Sequence, residues 1–283
     1  MVDRFDVDAD EGKRVSRRTL VLGGLTLAGV LAACGDSSDA APDAAVPSVA
    51  AGTDPVTLLA GAGTCGLSPT TTQGPYYFDP DKLRGDVRED RPGTRLDLAL
   101  KVVDSESCGP LKDLVVEIWH CDAKGRYSGA EKLSASGFGS MGGSMPSGMP
   151  MPTGMMMPGS SGDMADLTPQ DDTRYLRGAQ VSDAQGVVRF TTVWPGWYTG
   201  RTVHIHVMVH VNNTKALVTQ LMFDEKLNNK VFAVAPYASH LGRDTTNAKD
   251  TIFKNDMLMG VKAAGTGYIA AKTLGVDVDK NGR

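Results

Sequence analysis

"VVRFTTVWPGWYTGRTVHIHVMVHV", residues 187–211, sets two β-branched runs either side of a Pro-Gly turn. Alternate residues of an extended strand face the same side. His204 and His206 therefore project together, while Val203, Ile205, Val207 and Val209 fill the opposite face. His210 shares the histidine face but lies about 13 Å beyond His206, at ~3.3 Å per residue, too far to join the same ion. The stretch reads as two strands, the second carrying a two-imidazole face.

The same grammar extends in both directions. "RLDLALKVVD" (95–104) alternates strictly, with Leu96, Leu98, Leu100 and Val102 on one face. "LVVEIWH" (114–120) and "ALVTQLMFD" (216–224) are further strand-like runs. Asp-Ala-Gln-Gly (183–186) and Val-Asn-Asn-Thr (211–214) are turn signals between runs. "GYIAAKTL" (267–274) reads as a last strand or a short helix, and long amphipathic helices are absent. Short strands at this spacing imply an all-β fold, a β-sandwich of mainly antiparallel strands with long loops, over residues 63–283.

The first segment is not part of that fold. Residues 13–34, "KRVSRRTLVLGGLTLAGVLAAC", have a basic start and then a Gly-rich apolar run too short for a comfortable membrane span. Arg17-Arg18 followed by Thr19-Leu20-Val21 reads as a twin-arginine export signal. "LAAC" (31–34) matches a lipobox, in which Cys34 is lipidated and becomes the mature N-terminus. The expectation is a signal peptide over 1–34, a membrane partner through that lipid anchor, and a cell-envelope lipoprotein or secreted location. Residues 35–62, rich in Pro, Ala and Asp, read as a flexible linker. The 283-residue chain has a net charge of −4 with no basic excess, so nucleic acid is not expected as a partner.

Export implies an oxidising compartment. Apart from Cys34, three cysteines remain, so one bridge and one free thiol are expected. Cys108 and Cys121 flank a probable strand whose ends are roughly 20 Å apart, which favours Cys65 with Cys121 as the bridge. One further segment, residues 134–163, is almost entirely Gly, Ser, Pro and Met. It cannot bury a core. It reads as a flexible insertion or as a thioether-rich trap for Cu(I).

The chemistry centres on the two histidines. Zinc wants a further His, Cys or carboxylate, and the Fe(II) facial triad also wants a carboxylate. "VMVHVNN" (207–213) offers no acid. Tyrosine is nearby instead: Tyr198 follows the "PGW" turn, and Tyr127 ends "HCDAKGRY" (120–127). A phenolate is a hard anionic donor suited to a trivalent ion, whose charge can strip a phenol proton despite a free pKa of about 10. Singly, each tyrosine is more readily a core residue than a ligand; "DAQGVVRFTTVWPGWY" also resembles a pattern of non-catalytic β-sandwich modules in which the Tyr only packs.

In combination these residues resemble the intradiol ring-cleavage dioxygenases, the catechol, protocatechuate and hydroxyquinol dioxygenase superfamily. The resemblance runs in order through "QGPYYFD" (73–79), "LRGDVRED" (83–90), "VEIWHCDAKGRYS" (116–128), "YLRGAQVSDAQGVVRFTTVWPGWYTGRTVHIHV" (175–207) and "TQLMFD" (219–224). It is strongest to exported members. It implies one Fe(III) per chain held by Tyr127, Tyr198, His204 and His206, with Tyr198 the axial phenolate that yields to substrate. It further implies catalytic roles for Arg201 and Gln220, pocket walls at Tyr77 and Trp119, and O2 as co-substrate. The expected partner is a catecholic small molecule, cleaved to a cis,cis-muconate-type diacid; a homo-oligomer is compatible. The alternative is a non-catalytic exported sandwich that binds copper through the HxH pair and the Met-rich segment.

Overall fold

The computed structural model describes residues 54–61, 65–135 and 165–282. The signal peptide with Cys34, residues 35–53 and 62 of the expected linker, and the Met-rich segment apart from its first two residues lie outside the described residues; the rest of that linker, 54–61, is not flexible chain but packs on the sheet through a 3-10 helix. Among the described residues there are eight strands: β1 (Arg95–Asp104), β2 (Val115–Trp119), β3 (Arg177–Val181), β4 (Val187–Val193), β5 (His204–Val211), β6 (Thr214–Met222), β7 (Gly260–Ala264) and β8 (Gly267–Val276). Two short helices accompany them, α1 (Glu131–Ala135) and α2 (Glu225–Phe232).

The strands form two four-stranded sheets, β4-β1-β8-β7 and β3-β2-β5-β6. All pairings are antiparallel except β1 with β8. The expected all-β sandwich is borne out. The ambiguous run at 267–274 is a strand, placed centrally between β1 and β7.

Period-2 patterning explains how the sheets face one another. Leu96, Leu98, Leu100 and Val102 of β1 pack with Val188 and Phe190 of β4 and with Ile205, Val207 and Val209 of β5 in one buried cluster. Fully burying each such side chain contributes about 1.5–3 kcal/mol. The back of β1 is covered as well: Ala99 and Ala271 meet Val56, Leu58 and Leu59 of a 3-10 helix at Pro55–Gly61.

Turn chemistry fixes the register. Asn212 and Asn213 have φ of 48° and 60°, the left-handed pair that a two-residue hairpin loop requires between β5 and β6. Asp183 accepts from the backbone N–H of Gln185 and Val187, closing the β3–β4 turn.

The outer face of the second sheet positions the chemistry. β5 is buried along nearly its whole length on both sides. Its core side is aliphatic, and its other side carries His204, His206, Met208 and His210. The loops around residues 66–80 and 120–128 cover that side, so the polar groups there are shut away from water. His210 ends this face at Glu117, with Nε2 2.6 Å from its carboxylate, and takes no part in the cluster around His206.

The disulfide departs from expectation. The bridge joins Cys65 to Cys108, and Cys121 is a buried free thiol. The reason is non-local. Ser68 N–H donates to Gly275 O and Ser105 N–H to Val276 O, which brings the segments holding Cys65 and Cys108 to the same end of β8. Cys121 instead follows β2 directly and turns inward, its Sγ 3.5 Å from Gly196 O.

Candidate metal centre

Three stretches of chain deliver the polar cluster. The first is the loop after β2. Asp122 accepts from the backbone N–H of Lys124 and Arg126, and Gly125 N–H donates to Asp122 O, a tight turn that swings Tyr127 back over the sheet. Tyr127 is fully buried, and its own N–H donates to Ser134 Oγ on α1. The second is the Trp194–Tyr198 turn. Gly196 N–H donates to Asp122 O, and a side chain at Gly196 would collide with the backbone of Asp122 and Ala123. Glycine there lets the two tyrosine loops dock. The third is β5, which presents His204 and His206.

Their polar atoms converge. His204 Nε2 lies 3.2 Å from Tyr198 Oη, 3.5 Å from Tyr127 Oη and 3.2 Å from His206 Nε2. His204 Nδ1 donates to Thr202 O at 2.6 Å, which leaves Nε2 as a lone pair. One lone pair cannot satisfy two phenols and a second imidazole. A cation shared by all four atoms can. The donor set is two nitrogens and two phenol oxygens, and among the described residues no group of three or more His, Cys, Asp or Glu is placed to hold a metal ion. The residues present therefore fit a hard trivalent ion better than zinc or a facial-triad Fe(II).

Charge states agree with that fit. Burial, aided by the Arg201 charge, brings the His204 pKa down to about 3 and holds His206 well below the usual range, so both imidazoles stay neutral. Burial pushes Tyr198 up to about 12, with Arg201 acting in the opposite direction. Tyr127 is pushed well above its ordinary value by burial and by the neighbouring Tyr198. Neither phenol ionises near neutrality without a cation to compensate it.

Aromatic rings wall the cluster. Trp119 stacks on His206 with centroids 4.8 Å apart and planes 8° apart. Gly74 closes the edge of that ring: its φ is +74°, and a Cβ there would stand 3.2 Å from His206 Cε1. Tyr76 stacks on Tyr127 at 4.7 Å and meets Tyr198 edge-on at 6.1 Å. Tyr77 packs behind Trp119 at 4.7 Å, its hydroxyl donating to Glu117. Of the two expected pocket walls, Trp119 touches the cluster and Tyr77 lies one ring removed. Tyr76, in the turn at Pro75–Tyr76, takes the place expected of Tyr77.

Arg201 and Gln220 come together beside the cluster. Arg201 Nη2 donates to Gln220 Oε1, and Gln220 pairs with His206 across β5 and β6. Gln220 Nε2 is buried with no hydrogen-bond partner among the described residues, a donor with nothing to serve. Asp250, which the sequence pattern did not single out, anchors the arginine. Its Oδ2 accepts from Arg201 Nε at 3.0 Å and from Thr202 N at 2.8 Å. Burial pushes Asp250 up, but the Arg201 charge and backbone N–H groups more than offset this and leave it below the ordinary carboxylate range. Arg177, also unforeseen, lies behind Tyr127 with its guanidinium 5.8 Å from the ring centroid. Burial lowers its pKa to about 9, which keeps it cationic at neutral pH.

The chain is similar to an intradiol ring-cleavage dioxygenase from Tetranychus urticae, with 30% sequence identity and a TM-score of 0.62. That match covers 76% of this chain and 96% of the other. A second solved dioxygenase matches at 29% identity and a TM-score of 0.62, again over 76% of this chain and 96% of the other. The dioxygenase domain of a dioxygenase–carbohydrate-binding fusion from Streptomyces sp. SirexAA-E matches at 25% identity and a TM-score of 0.49, over 75% and 99% of the two chains. No family model and no curated protein matches.

Proposed function

The chain belongs to the intradiol ring-cleavage dioxygenases, and from that premise we propose that it uses Fe(III) and O2 to open a catecholic ring to a cis,cis-muconate-type diacid. The observation that carries this reading is the meeting of Tyr127 Oη, Tyr198 Oη and His206 Nε2 within 3.5 Å of the His204 Nε2 lone pair. Those four residues would hold the iron. When bound, the ferric ion would supply Lewis acidity, lowering the proton affinity of the phenols and withdrawing electron density from a chelated catecholate.

The chain's own residues divide the remaining work. Tyr198 stands on an irregular turn and retains slight exposure, whereas Tyr127 is sealed between Tyr76 and the buried Arg177. Tyr198 is therefore the phenolate placed to take a proton from a substrate hydroxyl at its Oη, while Tyr127 stays as a fixed ligand. Arg201, held by Asp250, would stabilise negative charge developing on the ring, in a buried setting where such a contact is worth several kcal/mol. Gln220 Nε2 is a donor available to a substrate oxygen. Trp119 and Tyr76 exclude water and orient the aromatic plane.

The copper-binding alternative leaves two buried phenols and the Arg201–Gln220 pair without a role. Export by the twin-arginine route with a lipid anchor at Cys34 remains part of the proposal. Labelling cells with a radioactive fatty acid checks it: the label is expected on the wild-type chain and lost in Cys34→Ala.

The deciding experiment loads the purified chain with iron and titrates catechol, protocatechuate and hydroxyquinol in an oxygen electrode. A burgundy protein that consumes O2 one to one with a catechol supports the reading. A colourless protein with full iron content would sink it.

A further inference from the structure

Arg177 stands on β3 directly across from Trp119 and is only 1% exposed. Its guanidinium donates to Ser128 Oγ at 2.8 Å, Tyr76 O at 2.7 Å and Ser128 O at 3.0 Å, all uncharged acceptors. Nη1 has no hydrogen-bond partner, and no carboxylate among the described residues pairs with the side chain. Arg174 adds a like charge nearby, its guanidinium 4.8 Å from the Phe78 ring that Arg177 itself covers at 4.1 Å. A buried cation without an anion is costly, and a methionine or leucine would fill the same volume without that cost. Besides the neutral Phe78 ring, the guanidinium meets one ring that can carry a charge, that of Tyr127, at 5.8 Å. Tyr127 is also the residue whose hydroxyl meets the His204 lone pair, at 3.5 Å.

We propose that Arg177 is the fixed countercharge of Tyr127, a positioning residue that stabilises the metal-bound phenolate through its ring and sets how strongly that oxygen donates to iron. This rests on the ferric reading above. A cation over the ring attracts an anionic π-system more strongly than a neutral one. It lowers the energy of the phenolate electrons more than that of the farther metal orbitals. The gap for phenolate-to-iron charge transfer therefore widens, and the visible band lies further to the blue than it would without the arginine.

The test compares the iron-loaded wild type with Arg177→Gln, which keeps a donor toward Ser128 and Tyr76 but drops the charge, and with Arg177→Lys. Iron per chain and the visible spectrum are measured for each. Gln is expected to keep iron and move the band to the red, on the order of tens of nanometres for a unit charge at this range. Lys, whose charge sits farther from the ring, is expected to move it less in the same direction. An unshifted band in Arg177→Gln at full iron content overturns the proposal. So does parallel loss of iron and band intensity with the surviving band unmoved, which is the signature of a merely structural role. If the Gln variant does not fold, Arg177→Met gives the same reading, and an unmoved band at full iron content in Arg177→Met overturns the proposal. A wild type with full iron and no such band would overturn the ferric reading itself and this proposal with it.

Discussion

Asp250 and Arg201 form an ion pair, the carboxylate buried and the guanidinium partly so, in which Asp250 Oδ2 takes Arg201 Nε at 3.0 Å and also the neighbouring Thr202 N–H at 2.8 Å. The same Thr202 offers its carbonyl to His204 Nδ1. One carboxylate thus organises both the Arg201 guanidinium and the backbone that sets the tautomer of His204. Asp250→Asn keeps the side-chain shape but loses the charge. It is expected to retain iron and to lower kcat by about ten- to a hundredfold, the usual cost of removing an outer-shell partner. Iron content and steady-state O2 uptake check this, and an unchanged kcat would remove Asp250 from the machinery.

The two tyrosines are predicted to respond differently to loss of the hydroxyl. Tyr127 is immobilised by Tyr76 stacking at 4.7 Å and by full burial. Tyr127→Phe should therefore release iron. Tyr198→Phe should keep iron with a weaker visible band, and lose activity by about 10²–10⁴-fold, the usual contribution of a positioned general base. Equal iron retention in both variants with equal activity would contradict the division of roles.

How much of this was legible in the sequence depends on how local each signal is. The strands β1 and β4 and the paired histidines follow from period-2 alternation within a few residues. The strands β3 (RGAQV) and β7 (GVKAA) are five residues each, with glycine and little aliphatic bulk, so the alternation is too short to stand out. Tyr127 and Tyr198 are 71 positions apart, and only a resemblance across the chain brought them together. Asp250 stands 49 residues from Arg201 and carries no spacing signature. The Cys65–Cys108 bridge depends on β8, more than 150 residues later, gathering both ends. Distance along an unfolded chain says little about which of three cysteines meet.

That bridge spans a sequence separation of 43 and lies at the far end of β8, not at the histidine cluster. Closing a loop of this length stabilises the fold by about 3–4 kcal/mol in the chain-entropy account. Cys108→Ser is expected to lower the urea midpoint accordingly while leaving kcat unchanged at 25 °C. Cys121 is buried, and burial raises its thiol pKa far above the usual value. Alkylation of the native chain should spare it and modify it only after unfolding. Rapid labelling of Cys121 in the native state would contradict the packing described.

His120 gives the fold an acid limit that can be isolated from the metal ligands. It is fully buried, with Nδ1 at 2.8 Å from Cys121 O and Nε2 at 2.7 Å from Thr192 Oγ1. Burial brings its pKa from 6.5 down to about 4. The unfolded chain therefore binds a proton on this side chain at a pH where the folded chain does not. Its contribution is present in full above pH 6.5 and is lost progressively as pH falls from there to about 4. Between pH 7.5 and pH 5 the loss from this residue is about 2 kcal/mol. His120→Gln, which cannot take up a proton, should be less stable than wild type at pH 7.5, and the difference should shrink by about that amount at pH 5. Urea melts of the metal-free proteins at the two pH values measure it. A gap that stays constant, or widens, on acidification would mean that His120 is not held neutral by burial.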